Sequence, residues 1–354
     1  MRVLCVDPGV DFSVADVYSG LVSGFRLNGH QVLRYHYGRR LDVMLSALDL
    51  AYEHVKEDAT VSKPTFDDAA LWTSELAVTW ALRHLPDFTV VCTGMYWHPD
   101  AYELMRRANQ RIGLLLTETP YAVHHEARYA GLVDVVWTNE RTAVPVLQEL
   151  NPQTYYLPHA FNSEVHTTTG LDLDVPAHDV VFVGTGFQER IEWLEAVDWT
   201  GIDLGLYGAW TLLAPDSPLH KYVRGGVTDN AYTAALYRRA KVGLNLFRQS
   251  IGYGQDASRV TTSESLNPRS YELAACGCFH VSDFRAEVAE VFGELVPTCR
   301  QPTELEGLLR RWLADDHGRR RIAEQLPQAV TGHSWATRAG QMTAVIERVI
   351  GTRV

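Results

Sequence analysis

The chain has 354 residues, 46% of them hydrophobic and 21% charged, which is room for two domains with their own cores and an ordinary globular composition. A net charge of -11 argues against a broad electrostatic surface for nucleic acid or membrane, and no apolar run approaches the ~20 residues that a membrane helix needs. The five cysteines, Cys5, Cys92, Cys276, Cys278 and Cys299, form no C-x-x-C pair and stand among apolar neighbours, so they read as buried free thiols in a reducing compartment. The start MRVLCVD runs directly into a strand pattern with no signal peptide, and the expected location is the cytoplasm.

Taken in order, strands are predicted at 2–7, 31–37, 88–93, 112–117, 133–138 and 154–157. Helices are predicted at about 15–27, 42–56, 71–85, 98–110, 122–131 and 141–150, with a polar loop at 57–68. Strands alternating with helices imply a parallel sheet covered on both faces. Residues 162–178 are polar, threonine-rich and proline-containing, and they break the rhythm. The alternation restarts with strands at 180–183, 202–207, 242–247 and from 279. Helices follow at 188–197, 229–240, 268–276, 303–315 and 317–326, and 248–266 reads as a long polar loop. The last helix, 335–350, is long enough to reach back over the boundary. The expected fold is α/β, with two doubly wound Rossmann-like domains. The first covers 1–165, a linker 166–178, the second 179–334, and 335–354 crosses back to the first. Sheets of this kind bind ligands at the carboxyl ends of their strands, so two facing halves place a site in a central cleft.

One stretch concentrates chemistry, Ser263 to Asp283, SESLNPRSYELAACGCFHVSD. Asn267 suits an N-cap and Pro268 the first helical position. Gly277 suits the left-handed residue that ends a helix. Arg269 and Glu272 share one helix face. The free N–H groups and dipole at such a helix start suit a phosphate, and Glu272, one turn further in, suits a ribose diol. With Glu264 in the loop before it, the stretch reads as half of a nucleotide-sugar site.

Other strand ends supply candidates. Gly184-Thr185-Gly186 occupies the position of a phosphate-binding turn, but position 189 is Glu, so a nicotinamide fingerprint is rejected. Arg190 either reaches a diphosphate or is a solvated surface arginine. Asn245 and Arg248 flank the end of the 242–247 strand. His159 ends the last strand of the first half, where it either meets a sugar hydroxyl or phosphate or is a structural histidine. Glu118 either orients a substrate hydroxyl or caps a helix. Asp11 and Ser13, in the first turn, are candidates for acceptor contact. Asp172-Leu173-Asp174 has metal-binding spacing but sits in the linker, and no metal site is expected.

The texts VVFVGTGFQER (180–190), YRRAKVGLNLFR (237–248), SESLNPRSYELAACGCFHVSD (263–283) and HSWATRAGQM (333–342), in this order and spacing, resemble GT-B glycosyltransferases of the CgeB-like, "glycosyl transferases group 1" type. DPGVDFSVADVYSG (7–20) and YYLPHAF (155–161) are similar to the first domain of bacterial and phage proteins of that type. Glu264 and Glu272 have the Glu-x7-Glu spacing of the retaining members. The resemblance implies that Glu272 holds the ribose hydroxyls, that Glu264 lies near the donor sugar, and that Arg269 is a phosphate ligand where better-known members have a glycine turn. Ser270 joins that donor set with Asn267. Glu264, His159 and Glu118 form the expected catalytic group. The resemblance implies a metal-independent, retaining enzyme that uses a nucleotide-diphosphate sugar, most readily a UDP-sugar, and no further cofactor. The acceptor is open: a protein, a glycan, a modified DNA base or a small molecule. A sugar-nucleotide epimerase or hydrolase on the same scaffold, or a binding protein that has lost catalysis, stays as an alternative.

Overall fold

The computed structural model describes residues 1–9, 15–171, 173–254 and 257–351. Asp11, Ser13 and Asp172 therefore lie outside the described residues. The chain divides into two compact units, Met1–Pro158 with Ala336–Val354, and His159–Trp335.

The first unit is a six-stranded parallel sheet in the order β2-β1-β3-β4-β5-β6. Its strands are β1 (Arg2–Val6), β2 (Gln31–Tyr35), β3 (Phe88–Cys92), β4 (Ile112–Leu116), β5 (Val135–Thr138) and β6 (Thr154–Tyr156). β3 and β4 are buried along their whole length, because helices cover both faces and runs such as FTVVC and IGLLL meet apolar neighbours above and below. The helix expected at 71–85 begins earlier, at Phe66, where Thr65 and Asp68 form a capping box. That T-x-x-D signal shortens the expected loop 57–68. The helix expected at 42–56 begins at Tyr37, directly after β2, and the Tyr37 hydroxyl donates to the Ala70 carbonyl at 3.2 Å. This docks one helix on the other. The last helix, Trp335–Gly351, packs into this unit. Arg338 donates to the Pro158 carbonyl at 2.9 Å, and Asn28 to the Ala336 carbonyl at 2.8 Å.

The second unit repeats the plan in the order β12-β11-β10-β7-β8-β9. Its strands are β7 (Val180–Val183), β8 (Leu204–Tyr207), β9 (Val223–Gly225), β10 (Val242–Asn245), β11 (His280–Asp283) and β12 (Thr298–Cys299). β9, β12 and a helix at Ala286–Phe292 were not expected. β9 and β12 are short edge strands of three and two residues, too brief to carry a period. From β7 the chain winds outward through β8 and β9. It then returns to lay β10 on the other side of β7, and continues to β11 and β12. The direction reverses between β7 and β10, which is where a doubly wound sheet leaves a crevice at the carboxyl ends. The expected loop 248–266 is partly ordered. Ser250 and Arg259 form an antiparallel bridge, Ile251 N–H donates to Ser258 at 2.7 Å and Val260 N–H to Gln249 at 2.8 Å. All five cysteines are buried free thiols.

Candidate donor-binding site

The helix Pro268–Ala275 starts as its sequence dictates. Asn267 is extended, and its side-chain oxygen accepts from Ser270 N–H at 3.1 Å and from the Ser270 hydroxyl at 2.8 Å. Pro268 supplies a fixed φ where no donor is required. Gly277 ends the helix at a φ of +66°. The helix follows β10, so its first turn lies at the carboxyl edge of the sheet, beside the point where the winding reverses.

Arg269 spans that point. Its Nε–H donates to the Val183 carbonyl at the end of β7 at 2.7 Å, and its Nη1 donates to Asn245 Oδ1 and the Leu246 carbonyl at 3.3 and 3.4 Å. The guanidinium lies 4.6 Å from the centre of the buried Phe182 ring. Its remaining nitrogen, Nη2, faces Gly184, where a Cβ would lie 2.2 Å from it. Gly184 has a φ of +154°, so both the space and the backbone exclude a side chain there. The sequence placed Arg269 as a phosphate ligand. In the fold its Nε and Nη1 brace β7 against β10, and its Nη2 is the part presented at the glycine turn.

Asn245 is fully buried. Its amide nitrogen donates to Ser270 Oγ at 2.9 Å and to Ser282 Oγ at 3.1 Å, and its oxygen accepts from Asn267 at 2.9 Å as well as from Arg269. It fixes the first turn of the helix to β10 and β11 and is itself shielded from any ligand. Arg190 is neither solvated nor at the surface. It is 6% exposed and donates to the Leu246 and Thr185 carbonyls, both at 2.9 Å. Arg248 donates to the Ser250 carbonyl at 2.8 Å and lies 4.6 Å over the Phe187 ring. Thr185 and Gly186 form the turn after β7, and a Cβ at Gly186 would stand 2.4 Å from the Trp210 ring. Glu272 and Glu264 are half-buried; the Glu264 carbonyl accepts from Glu287 N–H at 3.3 Å.

Three charged residues here were not among the site candidates read from the sequence. Arg285 donates to the Ser265 carbonyl at 2.5 Å and the Arg248 carbonyl at 3.1 Å. Asp283 accepts from Phe247 N–H at 2.9 Å. Burial pushes its carboxyl up to about 6, against the pull of that N–H and of Arg285 and Arg190. Glu189 accepts from Gln249 N–H at 2.6 Å, Ser250 N–H at 3.1 Å and the Ser250 hydroxyl at 2.5 Å. Burial works to raise its carboxyl, but those donors outweigh it and hold it below the ordinary value. The residue that breaks the dinucleotide fingerprint thus pins the segment after β10. Arg285 and Asp283 end a strand at the same edge, and the rule that polar strand ends serve the site would have found them. The net result is a concentration of arginines, Arg190, Arg248, Arg269 and Arg285, around residues 245–248 of an acidic chain.

In the first unit, Glu118 sits after β4, beside the fully buried Glu126. Glu126 accepts from the N–H groups of Thr117 (3.2 Å) and Glu118 (3.1 Å) and from the Thr119 hydroxyl (2.7 Å). Burial raises its carboxyl to about 7. His159, the first residue of the second unit, is 6% exposed. Among the described residues no group of three or more His, Cys, Asp and Glu side chains is gathered to hold a metal ion, and no helix is long and apolar enough to cross a membrane.

A model of the glycosyl transferase-like family matches residues 189–344. The spore protein CgeB of Bacillus subtilis (strain 168) is 23% identical over 207 residues, 57% of this chain and 65% of CgeB, so the match spans just under two thirds of that relative. Among solved structures, a sucrose-phosphate synthase from Thermosynechococcus elongatus superposes with a TM-score of 0.65 at 13% identity, over 99% of this chain and 100% of that one. The Anabaena protein HepE, solved with UDP-glucose, gives 0.61 at 13% identity, over 98% and 100%. The chain has the GT-B fold, and its residues 189–344 are similar to the glycosyl transferase-like family.

Proposed function

We propose that the chain transfers a sugar from a nucleotide diphosphate, a UDP-sugar by preference, to a hydroxyl acceptor, with retention at the anomeric carbon and without a metal. The observation that carries the donor assignment is Arg269. It bridges β7 and β10 at the reversal point and presents Nη2 at the glycine turn, one residue into a capped helix. A diphosphate there meets the Arg269 Nη2 and the positive end of a helix dipole. Glu272, one turn on, is the ribose ligand in this reading, and Glu264 stands by the sugar. The acceptor oxygen forms its bond to the anomeric carbon as the bond to the diphosphate breaks, and UDP leaves. Charge developing on the leaving diphosphate is stabilised by Arg269 and the helix dipole. Acceptor handling falls to the first unit, with Glu118 held by Glu126. That HepE was solved with UDP-glucose supports the choice of uridine.

A thermal-shift panel of UDP, GDP, ADP and TDP tests this reading. UDP raises the melting temperature most. No shift with any of the four removes the donor assignment and leaves the non-catalytic reading.

A further inference from the structure

We propose that the chain forms a twofold-symmetric dimer through the outer face of two helices of its first unit, Tyr37–Val55 and Phe66–His84. The first of these is apolar on two opposite sides. Tyr37, Leu41, Met44, Leu45 and Leu48 make its inner stripe, fully or partly buried against the core of the unit. One such stripe is all that a surface helix needs, and its opposite side is ordinarily polar. Here Val43, Ala47 and Leu50, at the i, i+4, i+7 spacing of one face, form a second stripe in the solvent. Val43 is 69% exposed and Leu50 64%. On the neighbouring helix, Trp72 and Leu76 stand opposite the buried Ala70, Ala77 and Ala81 and are 52% and 48% exposed. These four side chains present on the order of 450 Å² of apolar surface. A standard interface takes about 800 Å² from each partner, somewhat more than half of it non-polar. The face therefore carries the apolar area that one side of a stable interface requires.

The charges beside the stripe point to a second copy of the chain as the occupant. Arg39 stands four residues before Val43, and Glu53 three residues after Leu50. They are close to four full turns apart, so both lie on the same flank of the stripe, and both are exposed. Let two such helices pack antiparallel about a dyad at Ala47. Each flank then meets its own equivalent, as an isologous interface demands. Val43 of each copy meets Leu50 of the other, and Arg39 of each meets Glu53 of the other. The small Ala47 at the dyad lets the axes approach to about 8 Å. Glu53 meets Lys56 of its own helix at 2.7 Å, but a pair so exposed holds little, and the carboxylate can take Arg39 as well. An anionic bilayer fits this face poorly, because Asp42, Asp49 and Glu53 line it and the net charge is -11. The proposal stands apart from the donor reading.

Sedimentation equilibrium of the full chain tests it. The wild type is a dimer with a Kd of about 10 μM or tighter. Leu50→Glu puts a charge into the centre of the interface and weakens self-association by about a hundredfold or more. It keeps the wild-type circular dichroism spectrum, since the residue is largely exposed. Arg39→Glu and Glu53→Arg each weaken self-association by about tenfold at low salt. Mixed in equal amounts, these two variants recover the wild-type affinity, because each supplies the charges that the other lacks. A wild type that is monomeric at about 100 μM, a dimer that Leu50→Glu leaves intact, or no recovery on mixing overturns the proposal. A monomeric wild type that floats with phosphatidylcholine vesicles assigns the face to a bilayer and overturns it too.

Discussion

Replacing Gly184 with alanine tests whether the glycine turn and Arg269 are one device. A Cβ at 184 stands 2.2 Å from Arg269 Nη2, well inside contact distance, so the guanidinium must withdraw. The backbone at φ +154° adds roughly 1–3 kcal/mol of strain for a residue with a side chain. Withdrawal also weakens the Arg269 bond to Val183 at 2.7 Å, and a hydrogen bond from a charged donor contributes about 1.5–3 kcal/mol. Together these predict a loss of about 3 kcal/mol in urea denaturation. If Nη2 meets the diphosphate, UDP affinity falls by about tenfold to a hundredfold. The discriminating measurement is the cycle with Arg269→Ala. Without the guanidinium the clash vanishes, so Gly184→Ala in that background costs only its backbone strain, and the pair couples by about 1 kcal/mol or more. Strict additivity would refute the argument.

Other outcomes follow from the same geometry. The Glu126 carboxyl lies at about 7 in the fold against 4.5 ordinarily, so the folded protein binds its proton more tightly than the unfolded chain. Its contribution is fully present below about pH 4.5 and is lost as pH rises through 7, roughly 3 kcal/mol in all. Glu126→Gln flattens that window in urea midpoints between pH 5 and pH 8, whereas equal slopes for variant and wild type would contradict it. Asn267→Ala removes the helix cap and the link to Asn245 and lowers stability by roughly 1–2 kcal/mol; a melting temperature equal to the wild type's would dismiss the cap. Glu189→Ala frees the hairpin, so limited proteolysis cuts within 249–260 faster than in the wild type, and an unchanged cleavage rate would show that Glu189 does not hold it.

The repeated alternation of buried strands and helices was legible because a parallel sheet covered on both faces writes itself as short apolar runs. The start of the helix at 268 was legible to the residue and its end to within one, since Asn267, Pro268 and Gly277 each have a local reason for their place. What stayed hidden depends on contacts distant in sequence. Arg190 read as either a diphosphate ligand or a solvated arginine, because nothing near it announces that Leu246 and Thr185 accept its N–H groups. Arg269 read as a phosphate ligand from its own helix, and nothing near it announces that Val183, 86 positions away, takes its Nε–H. Asn245 has no local reason to be fully buried, and only the meeting of β10, β11 and the 268–275 helix supplies its partners. The hairpin after β10 reads as loop because its pairing is short and its fastening, Glu189 and Glu192, belongs to a helix some 60 residues earlier. In the first unit, Glu118 was named as a site residue while Glu126, which holds its backbone, was not.

The central claim is that the second unit grips a nucleotide diphosphate with Glu272 on the ribose. Calorimetric titration of UDP into the wild type and Glu272→Ala tests it most directly. The account predicts that the variant keeps the wild-type melting temperature and loses UDP affinity by about tenfold or more, the scale of hydrogen bonds to a charged acceptor. Equal affinity of the two proteins for UDP would contradict it.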